Sequence, residues 1–459
     1  MLKRTLGTIS LLAVVFFNVS GGPFSIEGLV ADLGPIMAAL MLALIPLVWA
    51  LPETLIVAEL SSMLPEEGGY YRWVRRAFGP FWAFQNGWIT WLYSLVDMAL
   101  YPVLFNTYLA WFFPGIPDGV RWLVALAVIW SATAINLRGA LNVGRVSVVS
   151  GVFVIGAFVT MAALALANAT HSPWANAALV PSGGGSAASL FAVGLSTALW
   201  NYIGWDNAST VSEEVKDPSR SYPRALFTVL LLITAVYFMA LLPALAATDG
   251  HTWKEGSWPA IAAASSGKAG PFVAAWIALA GMVSAVALFN SLLLSYSRIP
   301  LAMATDGLLP EALARTDSRG TPRNAVLASA VCYSFCVLLP FNKLVVADVI
   351  FYAAALLMEL SSLVALRKKE PELRGAFRLP VGAGGVAAIA AFPAAILLLL
   401  VGLAFFDPDV ALPALGGVTI AMLLGIPLYR WREAVLARRV IGGANSGVTS
   451  GATSVDGTR

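Results

Sequence analysis

The sequence predicts an all-α integral membrane protein with twelve transmembrane helices. Of its 459 residues, 59% are hydrophobic and 12% are charged, and the mean hydropathy is +0.80. A soluble domain usually carries about a quarter charged residues, so this composition excludes that class. A transmembrane helix needs about 20 mainly apolar residues, and twelve segments meet that need. In chain order these predicted spans are 6–33, 35–62, 80–113, 120–137, 144–168, 188–215, 222–247, 271–302, 323–340, 344–366, 383–406 and 410–429.

The distribution of basic residues indicates that both ends of the chain are cytoplasmic. Lys and Arg concentrate in cytoplasmic loops, whereas acidic residues contribute little to orientation. With a cytoplasmic amino terminus, the outward loops hold few of the 28 Lys and Arg, namely Arg121, Lys254, Lys268 and Lys343. We therefore expect a multi-pass protein of the cell (plasma) membrane. The net charge of +3 then reflects topology and contact with the lipid bilayer, and it does not indicate a nucleic-acid partner.

Residues that bind metals or act as nucleophiles are scarce. His171 and His251 fall in outward loops, and Cys332 and Cys336 lie four residues apart on one helix face, a spacing that favours packing. Neither a metal centre nor a Cys–His or Ser–His nucleophile is expected, so we predict no metal, no cofactor and no enzyme activity. A segment rich in Gly, Ser and Thr, 442–459, is predicted to be a disordered tail after one membrane domain, 1–441.

Two of the predicted spans are interrupted near their middles by glycine and polar residues. The interruptions read Ser20-Gly21-Gly22-Pro23 in the first span and Tyr202-Ile203-Gly204-Trp205-Asp206 in the sixth. A helix broken inside the membrane frees backbone N–H and C=O groups that bulk water cannot reach, so protein, ordered water or a ligand must satisfy them. A pair of such breaks is the best sequence-level indication of a transporter's binding site, although glycines can also mark a close contact between helices.

Acidic residues within the spans suggest the charge of the ligand. The core of predicted spans 1, 2, 3, 6 and 10 contains no Lys or Arg, and the acids singled out there are Glu27, Glu53, Glu59, Asp97, Asp206 and Glu359. A charged residue at the helix centre costs roughly 2.5–3.5 kcal/mol on insertion scales, so protons, metal ions, polar donors or a cationic substrate must compensate. Tyr101, Tyr202 and Trp205 could offer aromatic faces to ammonium groups.

Several of these acids have a second interpretation. Glu53 follows Pro52 and could satisfy backbone groups that the proline frees, could contact the substrate directly, or could take part in proton coupling or gating. Glu59 lies nearer the cytoplasmic end of its span and is interpreted as a structural or gating acid. Asp97 and Glu359 fall near mid-span, where each could bind substrate or carry a proton.

Glu27 carries the main argument for a positively charged substrate. The second half of the first broken helix begins after the glycines, and its N-terminus carries a partial positive charge of about half an elementary charge. Such an end suits a carboxylate, and it would repel an amine. A carboxylate in the first turn offsets that field, so Glu27 is predicted to convert an anion site into a cation site, with Ser20, Gly21 and Gly22 beside the ligand.

The loops carry motifs that resemble the amino acid–polyamine–organocation transporter superfamily. These motifs are Pro65-Glu66-Glu67-Gly68-Gly69-Tyr70-Tyr71-Arg72-Trp73, Ser297-Arg298, Asp306-Gly307-Leu308-Leu309-Pro310, Thr321-Pro322 and Phe377-Arg378-Leu379-Pro380. Within that superfamily, the sequence is most similar to the branch that contains L-type amino acid exchangers and plant-type polyamine-uptake transporters. Its two break motifs, Ser20-Gly21-Gly22-Pro23-Phe24 and Gly204-Trp205-Asp206, resemble the polyamine-uptake transporters more than the exchangers. The resemblance implies two inverted five-helix repeats, about 6–168 and 188–366, with discontinuous helices 1 and 6, and then two peripheral helices within about 383–429. It also implies that Glu213 and Glu214 pair with loop arginines at an inner gate.

These observations together predict a secondary active transporter of organic amines or amino acids. Proton-coupled uptake of a cationic polyamine is preferred, because titratable acids are available and no nucleotide-binding loop indicates the use of ATP. Sodium remains an alternative, since freed carbonyls with Ser284 and Ser291 could form an ion site. An amino acid symporter or exchanger, and more distantly a transporter-like sensor or assembly partner, also remain open.

Overall fold

The structure, a computed structural model, describes residues 3–175, 187–337, 341–404 and 408–448, and within these ranges it contains helices and no β-strand. The helices of the first half are α1 (Thr8–Val19), α2 (Ile26–Leu33), α3 (Pro35–Ile45), α4 (Leu51–Met63), α5 (Tyr70–Phe78), α6 (Pro80–Phe112), α7 (Asp118–Asn136) and α8 (Ala140–Ala167). Those of the second half are α9 (Ala187–Trp200), α10 (Pro218–Ala247), α11 (Trp258–Ser265), α12 (Gly270–Tyr296), α13 (Arg298–Thr305), α14 (Arg323–Cys336), α15 (Phe341–Lys369), α16 (Ala383–Ala404), α17 (Pro408–Leu423) and α18 (Gly425–Val448).

Eight helical segments in the described ranges are long and apolar enough to cross a membrane. They are Pro35–Met63, Pro80–Phe112, Asp118–Asn136, Ala140–Ala167, Pro218–Ala247, Gly267–Thr305, Ile350–Lys369 and Ala383–Leu400. These segments correspond to predicted spans 2, 3, 4, 5, 7, 8, 10 and 11. The prediction of an all-helical membrane protein is therefore confirmed, whereas the count of twelve spans stays a prediction.

The other four predicted spans are shorter or divided. Spans 1 and 6 are interrupted, span 9 is described only as far as Val337, and span 12 is divided between α17 and α18. Residues 338–340, 405–406 and 449–459, which close spans 9 and 11 and the predicted tail, lie outside the described residues. Helix α18 continues to Val448, inside the segment predicted as a tail.

The second half of predicted span 6 is not an α-helix. After α9 ends at Trp200, the chain forms a 3₁₀ helix, Asn207–Glu214. Within it the Thr210 hydroxyl donates to the Asn207 carbonyl (2.9 Å), and the Ser212 hydroxyl donates to the Ser209 carbonyl (2.6 Å). Side chains that bond to nearby backbone in this way compete with the regular α-helical pattern. The apolar first half of the segment predicted a membrane span, but the polar second half, Asn207–Glu214, forms the tighter 3₁₀ helix.

The core of the molecule is built around α6 and α12. Helix α6 packs against α12, α15 and α7, and α12 also packs against α8. Helix α1 lies between α8, α10 and α12, so the first broken helix is enclosed by continuous ones. The breaks are therefore surrounded by protein, as a gap in a membrane helix requires.

The loop motifs that the sequence analysis identified contact one another in the structure. Helix α5 is amphipathic, with Tyr70 and Trp73 buried and Arg75 largely exposed. The Tyr71 hydroxyl donates to Asp306 (2.7 Å), and the Arg72 guanidinium donates to both oxygens of the same carboxylate at 2.8 and 2.9 Å. The first loop motif is therefore bound directly to the motif that follows α13.

Glu59 forms a buried ion pair with a residue beyond its own span. Arg367, at the end of α15, contacts the Glu59 carboxylate at 2.6 and 2.7 Å, and the Leu379 N–H donates to the same carboxylate at 2.8 Å. The expectation that every span acid lacks a basic partner is wrong for Glu59, because the long side chain of Arg367, in the last turn of α15 and just beyond predicted span 10, reaches the Glu59 carboxylate. This contact joins α4, α15 and the segment before α16.

Removing the arginine is expected to destabilise the protein. Arg367→Met would leave a carboxylate that is 2% exposed without its cation, a loss of about 3–5 kcal/mol for a buried pair. The melting temperature of the purified protein in detergent should fall by several degrees. The double variant Glu59→Gln/Arg367→Met should recover part of that loss, and an unchanged melting temperature for the single variant would contradict a stabilising role for the pair.

Candidate substrate site

The first break begins where α1 ends and is built on two glycines with left-handed backbones. Gly21 has a φ of 67° and Gly22 a φ of 125°. A Cβ on Gly21 would lie 2.6 Å from Ser284 Oγ and 2.8 Å from Leu288, so α12 approaches too closely for any side chain. The Ser284 hydroxyl donates to the Gly21 carbonyl at 2.7 Å, and the Trp258 indole N–H donates to the Pro23 carbonyl at 2.6 Å. Protein side chains thus satisfy backbone groups that the break frees.

The second break follows α9 and is also built on a left-handed glycine, with side chains that bond to its backbone groups. Gly204 has a φ of 95°, and a Cβ there would lie 2.5 Å from the Asn18 carbonyl oxygen. The Tyr202 carbonyl accepts from the Trp49 indole (3.1 Å) and from the Trp205 indole (2.8 Å). The Gly204 N–H donates to the Tyr352 hydroxyl at 3.2 Å. The break therefore depends on residues of α15 and of the π-helical turn Pro46–Ala50.

One tyrosine joins the two breaks. The Tyr237 hydroxyl of α10 lies 2.7 Å from Ser20 Oγ and 2.8 Å from the Asn201 carbonyl oxygen. Tyr237 is fully buried. Because one hydroxyl contacts both interruptions, the two broken helices are held at a fixed separation.

A small cavity lies between the breaks. Its lining comes from both interruptions and from α6 and α12: Asn18, Val19, Ser20, Tyr93, Asp97, Tyr101, Trp200, Asn201, Ile203 and Leu288. Its volume is about 10 Å³, which is room for one water molecule. An organic substrate therefore requires the surrounding helices to move apart.

Of the acids that the sequence analysis singled out, Asp97 lines this cavity. Its two oxygens accept hydrogen bonds from the Tyr101 hydroxyl (2.7 Å) and from the Tyr296 hydroxyl (2.9 Å). The side chain is 1% exposed, and none of the ion pairs in the described ranges includes it. Two neutral donors hold the carboxylate in place without cancelling its charge.

Glu27 lies apart from the cavity, in the first turn of α2. Its carboxylate accepts from its own backbone N–H, from the Gly256 N–H (2.9 Å) and from the Tyr108 hydroxyl (3.3 Å). The carboxylate therefore sits at the N-terminus of α2, where the offset of the helix field was expected. Its neighbours belong to the loop before α11 and to α6, and it is not among the residues that line the cavity.

The acids of α4, the second break and α15 come together. Asp206 and Glu359 are close enough for their carboxyl groups to hydrogen-bond, and Glu53 interacts electrostatically with both. The Tyr352 hydroxyl donates to Glu53 at 2.9 Å, and the Asn86 amide donates to Glu359 at 3.3 Å. The sequence suggested Glu53 for coupling or for the backbone near Pro52, and the structure places it in one group with two predicted substrate residues.

The chain after the second break is held by an arginine and two acids. Arg298 is fully buried and donates to Glu214 at 2.9 Å, and its guanidinium lies 3.6 Å from Glu67. Glu213 is exposed, and its backbone N–H donates to Glu67 at 3.2 Å. Burial raises the pKa of Glu67 well above its usual range, and Arg298 opposes that rise. Glu214 thus contacts an arginine, whereas the Glu213 side chain is in none of the ion pairs of the described chain.

The amino-terminal segment adds a second contact to the same region. The backbone N–H groups of Thr5 and Leu6 donate to the Glu214 carbonyl at 2.9 Å, and the Lys216 N–H donates to the Leu6 carbonyl at 2.9 Å. The polypeptide before α1 is therefore bound to the end of the second broken helix, so the two interrupted segments are linked outside the membrane as well.

The predicted aromatic residues differ in position. Tyr101 lines the cavity, whereas Tyr202 and Trp205 are fully buried against protein. The Tyr202 ring packs edge-on against Tyr237, and its hydroxyl donates to the Leu42 carbonyl at 3.3 Å. Ser291, suggested for an ion site, is hydrogen-bonded to Ser147 at 2.9 Å.

Sequence reasoning missed several residues of this region. They are Asp348, Tyr237, Tyr296, Tyr352 and Glu67 as a gate residue. Asp348 lies within predicted span 10, but the sequence analysis did not single it out. The tyrosines carry no sequence signal, since only the fold brings their hydroxyls to carboxylates and broken backbone.

The fold and the site together define a multi-pass membrane protein with two broken helices around a buried acidic centre. A family model described as "amino acid permease" matches residues 6–426, and the chain belongs to that family.

Individual relatives share most of the chain. It is 34% identical to polyamine transporter RMV1 of Arabidopsis thaliana over 426 residues, which is 92% of this chain and 84% of the relative. It is also 34% identical to polyamine transporter PUT1 of Oryza sativa subsp. japonica over 433 residues, 94% of this chain and 79% of the relative. A D-serine/D-alanine/glycine transporter of Escherichia coli is 25% identical over 383 residues, 76% of this chain and 75% of the relative.

A methyl group at the second break is expected to disrupt the site. Gly204→Ala would force an L side chain into a left-handed backbone, at roughly 1–2 kcal/mol, and would press on the Asn18 carbonyl. We expect a lower melting temperature and loss of most transport. Gly119→Ala is the matched control, because nothing lies within 4 Å of the added methyl, and it should retain wild-type behaviour. Equal behaviour of the two variants would contradict the close contact between the breaks.

Proposed function

We propose that this protein is a secondary active transporter that uses an ion gradient to take up a cationic polyamine. The substrate binds between the two broken helices, and transport proceeds by alternating access, in which the broken helices move relative to α6 and α12. The names of the plant relatives support the substrate class, and the family supports transport.

The observation that carries this proposal is a buried negative centre without a basic partner. The acids that surround the breaks are each at most 4% exposed, and no ion pair of the described residues includes any of them: Glu27, Glu53, Asp97, Asp206 and Glu359. Buried carboxylates that lack a cation favour a ligand that supplies one. An amino acid would bring its own carboxylate into this centre, where like charges repel.

Protons are the proposed coupling ion, and no cofactor is required. Asp206 and Glu359 can form a carboxyl–carboxyl hydrogen bond only when one of them holds a proton. Binding of an ammonium group would change how many protons this pair retains.

The proposed architecture has twelve spans in the plasma membrane with both termini cytoplasmic. The inverted repeats would be about 6–168 and 188–366, with α16 to α18 outside them. The interruptions in corresponding positions of spans 1 and 6 support this arrangement.

Transport in proteoliposomes tests the proposal directly. With an inward proton gradient, labelled putrescine or spermidine should accumulate, and a protonophore should abolish the accumulation. Asp97→Asn should lower uptake by at least tenfold, on the order of the 2 kcal/mol lost with one buried charge contact. Accumulation of labelled neutral amino acids without uptake of either polyamine would refute the substrate class and favour the amino acid alternative.

Glu27 provides a separate test of the electrostatic argument. Glu27→Gln would restore the unopposed positive end of α2, so polyamine uptake should fall severalfold, as expected for roughly 1 kcal/mol of helix-terminus electrostatics. Glu255→Gln neutralises a neighbouring loop acid outside the broken helix and should have a smaller effect. If both variants transport polyamine as the wild type does, Glu27 does not set the sign of the site.

A further inference from the structure

Helices α6 and α15 pack against each other, and two separate groups of carboxylates each include a residue of α15. The first, the Asp348 cluster, consists of Asp97 and Asp348. The second, the Glu359 cluster, consists of Glu53, Asp206 and Glu359. Because both clusters include a residue of α15, their spacing can be estimated from that helix.

The Asp348 cluster is at the cavity. Asp97 lines the cavity, and Asp348 is close enough to interact electrostatically with it. Asp348 is 2% exposed, and its Oδ1 atom has no hydrogen-bond partner. A buried carboxylate oxygen without a donor favours an incoming cation or proton, since an unpaired polar atom in the interior is costly.

The Glu359 cluster contains three buried carboxyl oxygens without an amide or hydroxyl donor. Glu53 Oε2, Asp206 Oδ1 and Glu359 Oε2 accept from no amide or hydroxyl group, so the contact between Asp206 and Glu359 is a hydrogen bond only when one of the two is protonated. The three side chains are 0%, 4% and 2% exposed. They come from α4, the second break and α15, and none is in an ion pair of the described ranges. Three buried carboxyls at one place cannot all be ionised without a compensating cation.

A row of tyrosines connects the clusters. The Tyr296 hydroxyl donates to Asp97, and the Tyr352 hydroxyl donates to Glu53. Between them lies Tyr93, whose ring centroid is 5.9 Å from that of Tyr296 and 5.2 Å from that of Tyr352. Aromatic faces accept both methylene groups and ammonium groups, so the row suits an alkyl chain that carries positive charges.

The separation of the clusters fits a long ligand. Asp348 and Glu359 are three helical turns apart on one face of α15, which is about 16 Å along the axis at 1.5 Å per residue. Side chains that lean toward each other shorten this distance, but one ammonium group cannot contact both clusters. A ligand that satisfies both needs positive charges near its two ends.

The second break separates the clusters in the present conformation. Ile203 lines the cavity, whereas the neighbouring Gly204 N–H donates to Tyr352 beside Glu53. Movement of the broken helix during alternating access would remove this partition.

We propose that the Asp348 and Glu359 clusters are two ammonium subsites, so that the protein selects linear amines that carry a charge near each end over linear amines that lack one of these terminal charges. This inference rests on the proposed function and adds a selectivity rule to it. Each cluster binds one ammonium group of the ligand. Asp348 and Tyr352 then become part of the substrate site.

Binding of spermidine and its mono-acetylated forms tests the inference. The N-acetylspermidines keep almost the same length and lack one terminal charge. Binding of each to the purified full-length protein would be measured by competition against labelled spermidine. The wild type should bind spermidine at least tenfold more tightly than either acetylated form, as expected for one desolvated charge contact.

Variants in each cluster should reduce that preference. Asp348→Asn and Glu359→Gln should each bring the ratio of the two affinities close to one, because the lost subsite no longer recognises the extra charge. Asp348→Glu keeps the charge and should keep most of the preference, which separates charge recognition from damage to the fold. Asp118→Asn, at a fully exposed acid, is the control and should match the wild type.

The outcomes separate this inference from the proposed function. If both variants weaken spermidine and acetylspermidine by the same factor, the protein has one subsite and the inference is wrong, while polyamine transport stands. If the wild type binds neither ligand and instead binds amino acids, the proposed function fails and the inference fails with it.

Discussion

Everything near the centre of this protein depends on how it satisfies backbone groups where two membrane helices are broken. The lipid interior offers no water to unpaired N–H and C=O groups, so each must find a partner in the protein. Ser284 and Trp258 form hydrogen bonds with backbone groups of the first break, and Trp49 and Tyr352 do so at the second. Tyr237 contacts both breaks. Helices α10, α12 and α15 lie around the breaks because they carry side chains that form these hydrogen bonds.

The same contacts bring the acids to the breaks. Tyr352 accepts from the Gly204 N–H and donates to Glu53, so one hydroxyl links interrupted backbone to a carboxylate. Tyr296 donates to Asp97 and lies within 3.3 Å of the Asn207 amide at the start of the 3₁₀ helix. A change of ligand or of protonation at an acid therefore acts on the backbone of a broken helix. This coupling is the physical requirement for a carrier whose gates respond to its cargo.

The sequence predicted the helical membrane class, the continuous spans and both breaks because these depend on local signals. Runs of apolar residues mark the spans, and glycine beside a polar residue marks each break. The grouping of Glu53 with Asp206 and Glu359 could not be predicted, since it depends on how α4, the second break and α15 meet. The ion pair of Glu59 was missed for a related reason: Arg367 lies outside the predicted span, and its side chain reaches back into the protein.

Glu27 shows how far a local argument can extend. Its place in the first turn of α2 followed from the sequence, and in the structure its carboxylate accepts the N–H at that helix end. Its distance from the cavity lining did not follow, because that depends on Tyr108 and on the loop around Gly256. A charge at a helix end alters the field along the helix without touching the ligand. Glu27 would then set the sign of the site from the side, while Asp97 and the carboxyls around the second break make the direct contacts.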